Sequence, residues 1–117
     1  MKILLVEDNP LIVSAIEREG ESKQIRTEHA TDGWEAIEKL ENDDFSAIVI
    51  DTDLPRHSGY GVLTYLREEI GPDLANVVVM TSSDRKFDDA INVVRKTDQI
   101  SELARAVFMA CAVPVPE

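Results

Sequence analysis

The sequence predicts an α/β domain with a parallel β-sheet, and two observations carry this prediction. Residues 3–6 (ILLV), 47–50 (AIVI) and 77–80 (VVVM) are apolar without interruption, which is typical of strands buried on both faces of a parallel sheet. Segments with helical periodicity lie between these runs, so strands and helices alternate along the chain. This alternation indicates parallel strands joined by right-handed crossovers.

The composition is that of one ordinary globular domain. The chain has 117 residues, of which 44% are hydrophobic and 30% charged, and this length can bury a single core. We expect the domain to span residues 1–112, because residues 113–117 (VPVPE) cannot continue a helix and are predicted to be a tail or the start of a linker. The first apolar run is too short for a signal peptide or a membrane span, so a cytoplasmic protein is expected.

Charge and cysteine content exclude several classes of function. The net charge of −11, from 23 acidic and 12 basic residues, argues against a nucleic-acid-binding surface, which needs a basic face. Because Cys111 is the only cysteine, the chain can form no internal disulfide and no cysteine-based metal site. Cys111 lies in an apolar helical pattern and is predicted to fill the core. No glycine-rich loop follows a predicted strand, which disfavours nucleotide binding.

The first predicted helix follows the first strand. Asn9 suits the N-cap and Pro10 the first helical position, and Gly20 is predicted to end the helix. Residues 25–30 (IRTEHA) then form a partly polar strand, as expected at the edge of a sheet. The apolar stripe of the first helix consists of Leu11, Ile12, Ala15 and Ile16.

Three further helices are predicted. Asp32 and Glu35 have the spacing of a capping box at the start of the second helix, the third helix spans about 60–70, and the last precedes the tail. Their apolar residues are Trp34, Ile37 and Leu40, then Val62, Leu63, Leu66 and Ile70, and finally Ile100, Leu103, Ala104, Val107 and Phe108.

The segment 84–96 has two interpretations. If residues 91–94 (INVV) form a fifth strand, only residues 82–90 connect it to the fourth strand. A parallel crossover usually takes at least about 10 to 12 residues, so the fourth helix would be missing or reduced. Alternatively, residues 84–96 form a helix and the fifth strand is lost, because apolar residues recur there at helical spacing. The spacing from Lys96 to Leu103 favours the strand.

Acidic and hydroxyl side chains follow the predicted strands. Ligands of parallel α/β sheets bind at the carboxyl ends of the strands, where the strand order reverses. Carboxylates that share such a cleft repel each other unless a cation neutralises them, and hard oxygen ligands suit Mg²⁺. The sequence therefore predicts a Mg²⁺ pocket for phosphoryl chemistry. Its residues are Glu7 and Asp8 after the first strand, Asp51 and Asp53 after the third, and Thr81 after the fourth.

An aspartate beside such a metal can act as a nucleophile and become an acyl phosphate. The transferred group then needs a cation and a hydroxyl donor on its oxygens, which Lys96 and Thr81 can supply.

The chain resembles a response-regulator receiver domain over residues 1 to about 111. The resemblance rests on LLVEDNP, VIDTDLP, the helix that begins near Gly59, VVMTSS, and Lys96 six residues before Glu102. It implies a flavodoxin-like, doubly wound, five-stranded parallel sheet in the order 2-1-3-4-5, here with the fourth helix missing or reduced. It also implies a signalling domain, not an enzyme with turnover, that takes a phosphoryl group from a sensor histidine kinase or a phosphotransfer protein.

The resemblance also implies roles for single residues. Asp51 would accept the phosphoryl group, and Asp8 and Asp51 would hold Mg²⁺ together with the backbone carbonyl of Asp53. Glu7 would act largely through water. A carboxylate at Asp53 departs from the commoner choices of the family, and we expect it to modulate the lifetime of the phosphoryl group. The residues expected to contact that group and convert its presence into a loop rearrangement are Thr81 and Lys96.

Two further departures from the family lie near the fifth strand. The family often carries an aromatic residue where Val93 stands, and usually a proline where Thr97 follows the lysine. Together with the reduced fourth helix, these changes alter the face through which most receivers dimerise or signal. We therefore expect no oligomer through that face, and neither direct nucleic-acid binding nor membrane contact. The sequence does not identify the downstream protein or effector domain.

Two other functions stay open. A pseudo-receiver would keep the fold and bind partners without phosphate. The missing or reduced fourth helix favours this alternative. A small aspartate phosphohydrolase would use Asp51 as nucleophile and Asp53 as general acid. Such enzymes place this strand near the start of the chain, have Thr or Val where Pro55 stands and need a larger scaffold, so this alternative is disfavoured. His57 is expected to be an exposed loop residue rather than a catalytic base.

Overall fold

The computed structural model describes residues 2–54, 58–69, 76–82 and 91–111. The strands in this part of the chain are β1 (Lys2–Val6), β2 (Arg26–Ala30), β3 (Ala47–Asp51), β4 (Val77–Thr81) and β5 (Asn92–Arg95). The helices are α1 (Pro10–Ser22), α2 (Gly33–Asn42), α3 (Ser58–Glu69) and α4 (Ile100–Cys111). All strand pairs are parallel, in the order β2-β1-β3-β4-β5, so the predicted flavodoxin-like order is confirmed.

Burial along each strand follows its place in the sheet. Every residue of β3 and β4 is buried, as is every residue of β1 except Lys2. These three strands lie inside the sheet with both faces covered, which explains their continuous apolar runs. The edge strands β2 and β5 fully bury only Ala30 and Val94, and their sequences are correspondingly mixed.

Helices cover both faces of the sheet. Because successive residues of a strand point to opposite faces, each inner strand contributes side chains to both. Ile3 and Leu5 of β1 pack in a cluster with α1 and α4, which includes Cys111 as predicted. Leu4 and Val6 of the same strand pack in a second cluster with α2 and α3. No helix in the described ranges is long and apolar enough to cross a membrane.

Helix α1 begins as predicted, but two expectations about it are wrong. Asn9 accepts a hydrogen bond from the Leu11 N–H at 3.0 Å, and Pro10 is the first helical residue. Leu11 is 67% exposed, because the buried face of the helix is turned away from it. Gly20 lies inside the helix, where a Cβ would come within 2.9 Å of the Ile25 carbonyl oxygen. The buried residues of α1 are Ile12, Val13, Ile16 and Gly20.

The end of α1 is a Schellman motif around Gln24. This residue has φ 60°, in the left-handed region that glycine normally fills. The Gln24 N–H donates to the Glu21 carbonyl at 3.1 Å, and the Ile25 N–H to the Gly20 carbonyl at 2.8 Å. These are the two bonds that define the motif. The helix therefore continues past Gly20 to Ser22, and the left-handed residue that ends it is Gln24.

Helix α2 has the predicted N-cap with one change. The Asp32 carboxylate accepts from the Glu35 N–H at 2.9 Å. The Glu35 carboxylate, however, accepts from the Thr31 N–H at 2.7 Å instead of the Asp32 N–H that a capping box would use. Trp34, on the outer face of this helix, is 85% exposed.

The strand interpretation of residues 91–94 is confirmed, and the helical one is wrong. β5 pairs with β4 in parallel register, with Val93 opposite Val79 and Val94 opposite Met80. Residues 83–90, which decide whether a fourth helix is present in the crossover, lie outside the described residues. The same holds for Pro55, His57, Ile70 and the tail at 113–117.

Candidate functional site

The parallel register brings the ends of the inner strands to one edge of the sheet. Val6 lies opposite Ile50, and Asp51 lies opposite Met80, so the residues that follow β1, β3 and β4 emerge side by side. Three predicted carboxylates converge there, and one oxygen from each lies within 4.8 Å of the others. The three residues are Glu7, Asp8 and Asp51.

Glu7 is a buried acid whose two oxygens differ in their contacts. The residue is 1% exposed, and its Oε1 accepts from the Asp8 N–H at 3.0 Å and the Asn9 N–H at 3.1 Å. Its Oε2 is buried and has no hydrogen-bond partner among the described residues. Burial raises the pKa of Glu7 to about 8, and the neighbouring Asp51 carboxylate adds to the shift. Such a carboxyl needs either a proton or a cation.

Asp51 is the last residue of β3 and is 2% exposed. Its Oδ1 accepts from the Asp53 N–H at 2.8 Å. Its Oδ2 accepts from the Lys96 ammonium at 2.7 Å. The two contacts fix the orientation of the carboxylate, and the Lys96 contact sets one positive charge beside it.

Lys96 reaches Asp51 from the far side of β4. Its backbone N–H donates to the Thr81 carbonyl at 2.9 Å, which extends the β4–β5 pairing beyond the end of β5. Its Nζ also lies 3.4 Å from Asp53 Oδ2. Burial lowers the pKa of the Lys96 ammonium, but the Asp51 hydrogen bond and the surrounding carboxylates outweigh burial and raise it above its ordinary value. The ammonium is therefore charged in this site.

Asp53 lies in the turn after β3, with its carboxylate directed to the end of β4. Its Oδ2 accepts from the Ser82 N–H at 2.9 Å. Burial acts to raise the pKa of Asp53, but hydrogen bonds from the Ser82 hydroxyl and N–H, together with the Lys96 charge, hold it below its ordinary value. Asp53 is thus an ionised bridge between two strand ends.

The structure brings the predicted site residues to the same edge. Thr81 ends β4 and is 1% exposed, and it lies between the ends of β3 and β5. Thr52 donates from its N–H to the Met80 carbonyl at 3.1 Å, which fixes the β3 turn against β4. The residues at this edge are Glu7, Asp8, Asp51, Asp53, Thr81 and Lys96.

Two residues support the site in ways that the sequence did not reveal. A Cβ on Gly59 would lie 2.5 Å from the Asp51 carbonyl oxygen and 2.9 Å from Thr52 Cα, so only glycine lets α3 begin so close to β3. His29 Nε2 lies 2.7 Å from the Glu7 carbonyl oxygen and steadies the exit from β1. Gly59 is part of the sequence motif, whereas the role of His29 depends on the β1–β2 register.

This fold and acidic edge define a class of protein. The sequence model of the response regulator receiver domain matches residues 3–101, and the chain belongs to this family. Domains of the family are signalling modules of two-component systems rather than classical enzymes.

Particular relatives lie within this family. The response regulator PmrA of Pseudomonas aeruginosa is 35% identical over 88 residues, which cover 75% of this chain and 39% of PmrA. The chain spans about two fifths of the length of the curated response regulators that it matches.

Solved receiver structures share the fold. The Mn²⁺-bound form of response regulator Rcp1 is 26% identical, with a TM-score of 0.74 and coverage of 99% of both chains. Response regulator TrrA of Thermotoga maritima, solved with Mg²⁺-BeF, is 24% identical with a TM-score of 0.74 and coverage of 93% and 97%. The complex of TrrA with histidine kinase ThkA gives 23% identity, a TM-score of 0.72 and coverage of 95% and 98%.

Proposed function

We propose that this domain accepts a phosphoryl group on Asp51 from a phosphohistidine of a sensor histidine kinase or a phosphotransfer protein. The observation that carries this proposal is the 2.7 Å contact between the Asp51 carboxylate and the Lys96 ammonium, inside a cluster of carboxylates. A fixed cation on the nucleophile stabilises negative charge where the phosphoryl oxygens arrive. The kinase complex of TrrA is a precedent for the partner.

The acidic cluster fits Mg²⁺. Three carboxylates against one lysine leave negative charge in excess, and the buried Oε2 of Glu7 lacks a hydrogen-bond partner among the described residues. We assign the ion to Asp8, Asp51 and the backbone carbonyl of Asp53, with Glu7 acting through water; such hard oxygen ligands suit Mg²⁺. When bound, the ion supplies positive charge to the phosphoryl oxygens. The Mn²⁺-bound form of Rcp1 supports a divalent cation.

The bonds formed and broken in the transfer step belong only to this chain and to the donor. An Asp51 carboxylate oxygen bonds to phosphorus while the bond from phosphorus to the histidine nitrogen breaks, and the electron pair stays on the nitrogen. The product is an acyl phosphate on Asp51. The Asp53 N–H, which donates to Asp51 Oδ1, orients the carboxylate for attack. Water later attacks the phosphorus, releases inorganic phosphate and restores Asp51.

The signal is proposed to leave through Thr81 and Lys96. The Thr81 carbonyl holds the Lys96 N–H at 2.9 Å, so the ends of β4 and β5 are linked. A phosphoryl group that attracts the Thr81 hydroxyl and the Lys96 ammonium pulls on both ends and rearranges the loops that follow them. The receiver of this signal is a downstream protein or an effector domain, and we place the domain in the cytoplasm with its kinase.

The contacts of Asp53 disfavour the phosphohydrolase. A general acid needs a proton to donate, and therefore a pKa at or above its ordinary value. The pKa of Asp53 is lowered, and its carboxylate is engaged by Ser82 and Lys96 as an acceptor.

Incubation with Mg²⁺ and acetyl phosphate tests the proposed function. Intact mass should show one acid-labile phosphoryl adduct on the wild type and none on Asp51→Asn. Omitting Mg²⁺ should abolish the adduct or slow its formation strongly, because the site then repels an anionic donor.

Two results would contradict this function. Absence of any adduct under all conditions favours a pseudo-receiver. Continuous release of phosphate from small esters, many times per chain, favours the phosphohydrolase.

A further inference from the structure

The Ser82 N–H lies just beyond the hydrogen-bonded part of β4. The Met80 carbonyl accepts from Thr52 on the β3 side, and the Thr81 carbonyl accepts from Lys96 on the β5 side. Because backbone groups of successive strand residues alternate in direction, the Ser82 N–H points back toward β3. It meets a side chain there, since Asp53 Oδ2 accepts it at 2.9 Å.

The same Asp53 carboxylate also competes for the lysine of the site. The Lys96 ammonium lies 2.7 Å from Asp51 Oδ2 and 3.4 Å from Asp53 Oδ2. Asp53 therefore engages a backbone donor and an ammonium immediately beside the proposed phosphoacceptor. These donors are suited to any anionic oxygen at this position, whether from a carboxylate or a phosphoryl group.

We propose that the Asp53 carboxylate occupies the place of a phosphoryl oxygen in the unphosphorylated domain, and that a phosphoryl group on Asp51 must displace it from Ser82 and Lys96. This inference rests on the proposed function. A phosphoryl group bonded to Asp51 brings its oxygens next to the Lys96 ammonium, and the Ser82 N–H is the backbone donor at the adjacent strand end. Asp53 is thus a positioning residue that holds the phosphoryl-binding donors and competes for them.

The geometry gives the expected direction of the effect. Asp53→Asn removes the negative charge and leaves a weaker acceptor, whereas Asp53→Ala removes the acceptor altogether. Both variants keep the backbone carbonyl assigned to Mg²⁺. Each should bind a phosphoryl analogue more tightly than the wild type, with a Kd lower by on the order of tenfold. This is the change in Kd that corresponds to the free energy of one charge-assisted hydrogen bond.

The test titrates beryllofluoride, a phosphoryl analogue, into the wild type, Asp53→Asn and Asp53→Ala with Mg²⁺ present, and measures Kd by fluorine NMR. Asp44→Asn is the matched control, because it makes the same change in net charge at an exposed position in the α2–β3 connection, toward the opposite edge of the sheet. Its Kd should equal that of the wild type. The Ser82 amide signal is followed in parallel without beryllofluoride.

In the free proteins, the Ser82 amide should exchange with solvent faster in Asp53→Ala than in the wild type. The inference fails if both Asp53 variants bind beryllofluoride with wild-type affinity, or if Asp44→Asn gains as much as they do. In either case an adduct on the wild type still leaves Asp51 as the acceptor. If no variant forms an Asp51-dependent adduct, the proposed function fails and the inference with it.

Discussion

At the scale of single residues, Gly59 sets how closely α3 can begin against the end of β3. We predict that Gly59→Ala destabilises the domain by about 2 kcal/mol. The new methyl group would overlap the Asp51 carbonyl oxygen, which lies only 2.5 Å from the Cβ position. Overpacking of such a rigid contact costs about 1–3 kcal/mol. Urea unfolding measures this change. Displacement of the Asp51 backbone should also reduce the yield of the acyl phosphate.

Gly61 provides the matched control in the same helix. A Cβ there meets no atom of the described residues within 4 Å, so Gly61→Ala should stabilise the domain by about 0.5–1 kcal/mol through the helix propensity of alanine. Equal effects of the two substitutions would show that Gly59 matters only for helix propensity, not for the close approach.

Glu7 makes the stability of the metal-free domain depend on pH. Its pKa rises from 4.5 to about 8 on folding, so between these values the folded state binds more protons than the unfolded state. Stability contributed by the protonated carboxyl is therefore present below pH 4.5 and is lost as the pH rises toward 8. We predict a declining free energy of unfolding across this window, by about 1 kcal/mol per pH unit at its steepest, measured in the presence of a chelator.

The variant Glu7→Gln should remove most of that decline, because its amide cannot ionise. Glu38→Gln changes the net charge equally at an exposed position on α2 and should leave the slope as it is in the wild type. A parallel slope in Glu7→Gln would mean that other groups carry the pH dependence.

The sequence predicted the site through position rather than through contacts. Asp51 and the pair Glu7 and Asp8 each follow a continuous apolar run, and parallel strands must bring such residues to one edge. The bond from Ser82 to Asp53 could not be predicted, because it depends on how far β4 extends before its backbone donor faces the β3 turn. Contacts between turns are set by register, which a single sequence does not specify.

At the scale of secondary-structure elements, the Schellman motif of α1 uses glutamine where glycine fits better. Gln24 has φ 60°, and a residue with a Cβ in this region costs about 1–2 kcal/mol. Glycine avoids this cost, but the greater conformational freedom of glycine in the unfolded chain offsets part of the gain. We predict that Gln24→Gly stabilises the domain by about 0.5–1 kcal/mol in urea unfolding. Gln24→Ala keeps a Cβ and should give no gain; an equal gain from alanine would contradict the backbone explanation.

The elements that the sequence predicted well are those buried most evenly. β1, β3 and β4 show as apolar runs, because both of their faces are covered. β5 buries only Val94 within the strand, so its sequence carries no period of two, and Ile91 and Val94 match a helical spacing equally well. The apolar stripe predicted for α1 was also displaced. Leu11 fits the helical period, but the buried face of α1 runs through Ile12 and Val13 instead and leaves Leu11 67% exposed.

At the scale of the whole molecule, packing and charge are divided between the body of the sheet and its carboxyl edge. Two apolar clusters hold β1, β3 and β4 from both faces, and none of the carboxylates at the edge belongs to either cluster. The edge can therefore carry three converging carboxylates in a chain whose net charge is already −11. Repulsion at this edge lowers stability, and a bound cation relieves it.

Mg²⁺ that binds only the folded state should raise the free energy of unfolding by about 2.7 kcal/mol at one hundred times its Kd. NaCl at matched ionic strength should give a smaller increase, since it only screens the net charge. Asp8→Asn should shift two quantities in opposite directions. The metal-free protein should gain stability, because one negative charge of the acidic cluster is gone. The increment from Mg²⁺ should shrink, because an oxygen ligand has lost its charge. Thermal and urea unfolding with and without Mg²⁺ measure both quantities. Two results would contradict binding at this edge: Mg²⁺ raises the free energy of unfolding of Asp8→Asn as much as that of the wild type, or NaCl reproduces the whole rise. Either result would mean that Mg²⁺ acts only by screening the net charge.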